Sequence, residues 1–395
     1  MNVIAPAKPS APSSAQDEIR VMVVDDAVVV RTLVARWIGE TPGLKLVAAL
    51  RSGREAVDQF DQTKPDVVLL DIDMPHLDGL ATLPLLLEKK RDLVVIMASA
   101  LTRHNAELGL KALALGAADC IPKPEAEGGV MTSSSFQREL IEKVRALGVL
   151  RQKRPLPPPY ARRAIAPATR RLAGAVQRVV KWRVPEPSEA SSYELRPFSS
   201  VIPRVLLIGA STGGPQALNK LVSRLDAVTD SAPVLITQHM PMTFTTIFAE
   251  NLARASAKPV REAVDGEPVL AGTVYIAPGG KHMRVARRNG TAVIALDDGP
   301  PVNFCKPAVD PLFTSAAQVW GAWNLALILT GMGTDGTNGA AAIVAAGGSV
   351  IAQDEASSVV WGMPGSVAEA GLCSAVLPLD QIAPKTVRLF LGARS

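Results

Sequence analysis

The 395-residue sequence predicts two α/β domains, each a doubly wound parallel sheet, joined by a basic, proline-rich tether. Three observations carry this expectation. From Ile19 to about Gln152, short apolar runs alternate with helical patterns five times. From Lys153 to Pro203 that periodicity gives way to prolines, arginine pairs and serines, and from Arg204 the alternation resumes. Strands alternating with helices build parallel sheets, whose ligands sit beyond the carboxyl ends of the strands.

In the first domain the expected strands are Arg20–Val24, Leu44–Leu50, Asp66–Leu70, Leu93–Ala98 and Ala118–Ile121, with helical stretches such as Val28–Gly39 and Phe136–Leu150. In the second they are Val205–Gly209, Val234–Gln238, Val274–Ala277, Leu325–Thr330 and Ser349–Ala352. Helices including Pro215–Leu225, Phe244–Ala255 and Gly339–Ala346 intervene. The expected division is an arm over 1–18, domains over 19–152 and 204–395, and a linker over 153–203 with one short helix near Thr169–Lys181. A flexible coil of that length has an end-to-end distance on the order of 40 Å.

Charge and cysteine content narrow the function classes. The net charge is +5, but twelve Lys and Arg and no acidic residue lie between Lys143 and Arg183, which leaves the rest at −7. The basicity belongs to one segment. A DNA-binding regulator is the main rival that this segment suggests, yet its cations sit among prolines and the second domain shows no helix-turn-helix pattern. A non-catalytic scaffold is the other. No run of about 18 apolar residues spans a bilayer, and the Ala/Pro/Ser-rich start has no signal-peptide block. Cys120, Cys305 and Cys373 form no metal pattern and suggest reduced thiols in a cytoplasmic protein.

Five polar residues converge on one rim of the first domain. Asp25 and Asp26 follow the first strand, Asp71 the third, Ser99 the fourth and Lys123 the fifth. Three carboxylates so close repel one another unless a hard cation joins them, and Mg²⁺ with oxygen ligands suits the set. Such an ion would let Asp71 attack phosphorus, with Lys123 and Ser99 holding the phosphoryl oxygens. Asp71-Ile72-Asp73 also begins like a calcium loop, but Pro75 and the lack of a Glu at the twelfth position argue against one.

In the second domain, Gly209-Ala210-Ser211-Thr212-Gly213-Gly214 follows a strand and opens a helix. Such a turn pushes a serine outward, although a phosphate cradle uses similar glycines. A nucleophilic serine needs a base. Among four histidines, His239 lies just past a strand end, whereas His76, His104 and His282 read as surface or structural residues. Asp335, in the glycine-rich turn Thr330–Gly336, suits an orienting carboxylate or a helix cap. The order Ser211, His239, Asp335 puts all three beyond strand ends of one sheet. The competing set is Ser211, Asp265 and His282.

The motifs Val23-Val24-Asp25-Asp26, Leu70–Pro75 with Leu77-Asp78-Gly79, and Asp119–Pro124 resemble those of bacterial response-regulator receiver domains. Ala27 stands where that family often has a hydroxyl residue. The stretches Ile208–Pro215, Thr237–Pro241, Tyr275–Met283, Asp298–Asn303, Ile328–Gly336 and Ile351–Pro364 resemble the catalytic domain of chemotaxis protein-glutamate methylesterases. The resemblance implies a flavodoxin-like receiver before a Rossmann-like serine hydrolase domain. It implies Asp71 as phospho-acceptor, with Asp25, Asp26 and the main chain of Asp73 around Mg²⁺ and Ser99 as the switch hydroxyl. Ser211 would be nucleophile, His239 general base then acid, Asp335 the orienting carboxylate, and the Thr212 and Met332 amides the oxyanion hole. No cofactor is expected for ester hydrolysis. The implied partners are methyl-accepting chemoreceptors, as substrates for demethylation and glutamine deamidation, and a histidine kinase as phosphodonor. That places the protein peripheral to membrane receptors without insertion, and excludes nucleic acid. Phe304-Cys305-Lys306-Pro307 departs from the basic, histidine-containing sequence expected at that place.

Overall fold

In the computed structural model, residues 18–123, 134–153 and 193–393 are described. All but the last residue of the expected arm, and the helix expected near Thr169–Lys181, lie outside them.

The first domain alternates strand and helix without exception. β1 (Ile19–Val24), α1 (Val28–Glu40), β2 (Leu44–Leu50), α2 (Gly53–Thr63) and β3 (Val67–Asp71) form its first half. Then come α3 (Gly79–Lys89), β4 (Val94–Ser99), α4 (Arg103–Leu115), β5 (Asp119–Pro122) and α5 (Ser134–Lys153). The parallel sheet has the order β2-β1-β3-β4-β5. Strand β3 is Val-Val-Leu-Leu-Asp and buried throughout, the continuous apolar run expected of a strand covered by helices on both faces. The order reverses between β1 and β3, so their carboxyl ends open a crevice where Asp25 and Asp71 stand.

The second domain begins with β6 (Val205–Ala210), α6 (Gly214–Val222), α7 (Asp226–Ser231), β7 (Val234–Gln238), α8 (Met242–Ala255), β8 (Val260–Glu262) and β9 (Val274–Ile276). A hairpin of β10 (His282–Arg288) and β11 (Thr291–Asp297) precedes α9 (Val309–Trp320). The chain ends with β12 (Asn324–Ile328), α10 (Thr337–Ala345), β13 (Ser349–Gln353), α11 (Met363–Glu369), β14 (Ala375–Leu377) and α12 (Leu379–Phe390). Seven parallel strands are ordered β14-β13-β12-β6-β7-β9-β8. Here the reversal falls between β12 and β6, and the three candidate residues of this domain follow β6, β7 and β12.

The hairpin and α9 were not among the expected elements. They pack on one another as a layer over the sheet, and Val285 N–H donates to Ser315 on α9. The linker expectation also needs correction at its end. Tyr193–Pro203 is an extended strap on the second domain: Arg196 N–H donates to the Cys373 carbonyl, and Ser199 N–H to the Ser349 hydroxyl. Lys385 sits over the Phe198 ring, and Tyr193 lies against Trp361. Irregular composition hid a segment whose amides are satisfied by the domain that follows.

The two domains share an apolar contact. One buried cluster runs without a break from Met97 and Leu110 to Phe244 and Leu218. Helix α4 packs on α8 and α6, and Gly109 admits Phe244, since a Cβ there would lie 3.1 Å from the ring. Around this contact Arg103 makes two bonds to Glu250 (2.9 and 3.0 Å), and Gln216 donates to the Ala117 carbonyl at 3.3 Å.

Candidate functional site

The rim of the first domain gathers the residues expected there. Carboxylate oxygens of Asp25, Asp26 and Asp71 lie within 4.8 Å of one another. Lys123 Nζ bridges Asp25 and Asp71 at 2.7 Å each. Burial pushes the Asp71 carboxyl up to about 6; Lys123 opposes that, while Asp25 and Asp26 add to it. A carboxylate held so close to neutrality by desolvation and like charge is one that a divalent cation would stabilise. The residues therefore fit Mg²⁺. The Asp73 carboxylate accepts from Asn105 on α4 at 2.5 Å and is not among the three carboxylates gathered at the pocket. Ser99 is buried at the end of β4, 3.8 Å from Cys120 Sγ.

The second rim is built by backbone. Ser211 N–H donates to the Thr330 carbonyl, and Gln238 Nε2 donates to the Ser211 carbonyl at 2.9 Å. Gly213 takes φ +76°, a left-handed conformation that an L side chain adopts at a cost. A Cβ on Gly331 would lie 2.8 Å from Ser211 Cβ and 2.4 Å from Met363 Sδ. Glycine here brings the β12 turn against the serine. Gly331→Ala should therefore cut ester hydrolysis at least tenfold while the domain still melts cooperatively, which steady-state kinetics with thermal unfolding would check.

His239 Nε2 is 2.7 Å from Asp335 Oδ2. Asp335 is no cap for α10, whose N-terminal flank is Gly336. Instead its carboxylate accepts from the Val309 N–H (2.6 Å), the Asp310 N–H (3.1 Å) and the Gly336 N–H (2.9 Å). The first two are the opening amides of α9, where the helix end favours negative charge. Burial alone would raise the Asp335 pKa, but His239 and these amides hold it below the usual carboxylate range. Burial likewise works against a charged His239, yet Cys305 and Asp335 push its pKa up to about 10.

The competing set fails on geometry. His282 is 1% exposed, and both ring nitrogens serve main-chain groups, Pro300 O at 3.0 Å and Ala308 N at 3.2 Å. Asp265 accepts from Leu296 N–H.

One expected contact is missing. Among the described residues the Ser211 hydroxyl has no hydrogen-bond partner, and His239 Nδ1 is 3.2 Å from Cys305 Sγ. The main-chain N–H groups of Thr212 and Met332 donate to no acceptor among the described residues. Both residues instead meet the first domain. Thr212 Oγ1 donates to Asp119 Oδ2 at 2.8 Å, and Met332 packs against a cluster that joins Phe136, Leu140 and Val144 of α5 to Val360 of the second domain. Asp119 is itself paired at 3.0 Å with Lys143, whose pKa burial would lower but Asp119 and Glu139 raise. Lys143 thus belongs to an interface and not to the basic tether. What remains between Ser211, His239, Asp119 and Lys143 is a cavity of about 40 Å³. Asp119 and Gln238 lie inside motifs quoted above and Lys143 outside them, but no motif signals these contacts, which arise only when distant segments meet.

An acidic receiver pocket and a Ser/His/Asp rim in one chain define a response regulator with a hydrolase effector. Residues 21–133 match the response regulator receiver domain model, and residues 206–386 match the CheB methylesterase model. The protein-glutamate methylesterase/protein-glutamine glutaminase of Rhodopseudomonas palustris strain BisB5 is 57% identical over 397 residues, covering 100% of each chain. The group 2 operon protein of that name from Bradyrhizobium diazoefficiens is 58% identical over 382 residues, 95% of each. The Thermotoga maritima CheB methylesterase catalytic domain is 42% identical, covers 48% of this chain and 100% of its own, and superposes with a TM-score of 0.46. The chain belongs to the protein-glutamate methylesterase/protein-glutamine glutaminase family, and is a hydrolase. The DNA-binding and scaffold readings are set aside. No described helix is long and apolar enough to cross a membrane.

Proposed function

We propose that Ser211, His239 and Asp335 hydrolyse glutamate methyl esters on chemoreceptors, and deamidate selected receptor glutamines, under control of Asp71 phosphorylation. The carrying observation is the His239–Asp335 pair, anchored on the α9 amides beside the serine turn, with the Thr212 and Met332 amides donating to no acceptor among the described residues. His239 takes the Ser211 proton as the hydroxyl attacks the ester carbonyl. The Thr212 and Met332 amides receive the developing oxyanion, where donors already in place incur no reorganisation. His239 returns the proton, methanol leaves, and water cleaves the acyl-enzyme by the same steps. With a glutamine side chain, ammonia leaves instead. Methanol release from a methylated receptor fraction tests this reading.

The receiver serves as a cover. Its Asp119 occupies the hydroxyl of Thr212, Met332 joins a cluster that includes α5, and a cavity of about 40 Å³ leaves a receptor segment little room. Asp25, Asp26, Asp71 and the Asp73 main chain would hold Mg²⁺, which supplies charge neutralisation for phosphoryl transfer. Asp71 attacks phosphorus, and Lys123 and Ser99 hold the phosphoryl oxygens. The phosphodonor is a histidine kinase, and the protein works in the cytoplasm against membrane receptors. Asp71→Asn should abolish labelling by small phosphodonors and by the kinase, and chelation of Mg²⁺ should do the same. Phosphate retained by Asp71→Asn would place the acceptor elsewhere.

A further inference from the structure

The imidazole of His239 has two nitrogens, and neither faces Ser211. Nε2 meets Asp335 at 2.7 Å and Nδ1 meets Cys305 Sγ at 3.2 Å. With Nε2–H donated to the carboxylate, the nitrogen that must take the Ser211 proton is Nδ1, and the Cys305 sulfur holds that nitrogen instead. Serine and sulfur compete for one nitrogen.

Cys305 is held there by an unusual turn. Val302 and Cys305 exchange two main-chain hydrogen bonds (3.1 and 2.9 Å), and the central residues Asn303 and Phe304 take φ +50° and +64°. Two consecutive left-handed residues make the tight hairpin turn that glycine and asparagine favour, and a phenylalanine is strained in it. Phe304 is 82% exposed, and its ring is met by the receiver: the Arg138 guanidinium of α5 stacks on it at 4.4 Å. A cation over an aromatic face is attracted to it, so the receiver braces the turn that presents the thiol.

We infer that Cys305 is a positioning residue for the general base: with the receiver docked, its sulfur holds His239 Nδ1 away from Ser211, and the Arg138–Phe304 contact ties that hold to the receiver. The inference rests on the triad reading above. It adds to steric covering a second restraint, in which departure of α5 frees the turn and then the imidazole. The other titratable groups around His239 are Asp335, and Asp119, Cys120, Glu139 and Lys143 of the receiver across the cavity. Only Cys305 and Asp335 hydrogen-bond the ring among the described residues.

The test is methanol release by the full-length protein, before and after a small phosphodonor, as a function of pH. Cys305→Ala should raise the unphosphorylated rate several-fold and narrow the ratio of phosphorylated to unphosphorylated rates. Its acidic limb should move to lower pH, because a partner that raises the imidazole pKa is gone. Cys305→Ser keeps a polar partner for Nδ1 and should restore the ratio towards wild type. Arg138→Ala acts through the same contact, so Arg138→Ala with Cys305→Ala should be no faster than Cys305→Ala alone. An unmoved limb, serine behaving as alanine, or additive effects of Arg138 and Cys305 would overturn the inference, as would a lower rate in Cys305→Ala. Undiminished turnover in His239→Ala would instead sink the triad reading itself.

Discussion

Ser211→Ala and His239→Ala are each expected to lower methanol release on the order of 10⁴-fold or more, without loss of the folded domain. In the proposed mechanism the serine supplies the bond-forming oxygen and the imidazole its proton acceptor, so neither loss has a substitute nearby. His282 cannot stand in, because main-chain groups occupy both of its nitrogens. Asp335→Ala should cost less, since the imidazole persists but loses its orientation. It should also reduce stability, because the opening amides of α9 lose their acceptor. Because the three act as a unit, the triple variant should be scarcely slower than Ser211→Ala. The residual rate would report the Thr212 and Met332 amides. With His239 pushed up to about 10 in the docked arrangement, its neutral form is scarce near pH 7. A base must be neutral to accept a proton, so the unphosphorylated rate should still be climbing above pH 8. A Ser211→Ala blank removes spontaneous ester hydrolysis. A rate already flat at pH 7 would mean that the pair is not the base of the resting enzyme.

Separating the receiver from the second domain should raise the unphosphorylated rate about tenfold or more. A docking preference of only about 1.4 kcal/mol suffices for a tenfold population difference. The observed contacts supply that: the Thr212–Asp119 bond involves a charged acceptor, worth about 1.5–3 kcal/mol in such cases, and Phe244 is buried against Gly109. The exposed Arg103–Glu250 pair adds little and steers the fit. The fragment should begin at Tyr193, not Arg204, because the strap Tyr193–Pro203 belongs to this domain. A fragment starting at Arg204 should melt at lower temperature. A specific protease site placed within 154–192 gives the same comparison on an intact preparation, before and after cutting and phosphodonor. The shorter the tether, the higher the effective concentration of the receiver, so shortening it should deepen inhibition until docking fails. If residues 193–395 were no faster than unphosphorylated full-length protein, the receiver would not be a cover, and phosphorylation would act by another route such as receptor targeting.

Most of both sheets was legible because buried parallel strands leave a local signature. Val67–Leu70 and Val205–Ile208 are apolar at every position, since helices cover both faces. The polar residues that end such runs, Asp25, Asp71, Ser211 and His239, are conspicuous against them. The hairpin β10–β11 and α9 were not legible: their elements are short or mixed, and their place is fixed by packing on one another.

The sequence by itself determined the two-domain α/β architecture, the acidic pocket, and the serine, histidine and aspartate at neighbouring strand ends, because each is encoded within a few consecutive residues. Only the tertiary structure decided what those groups touch. It placed Asp335 on the first amides of α9, assigned His282 to main-chain bonds, and set Cys305 instead of Ser211 against His239. It also set Asp119 on Thr212 across 93 residues of chain, and Arg138 on Phe304. Such contacts join segments with no sequence relation to one another. They are fixed by how two cores pack, and local pattern carries no trace of them.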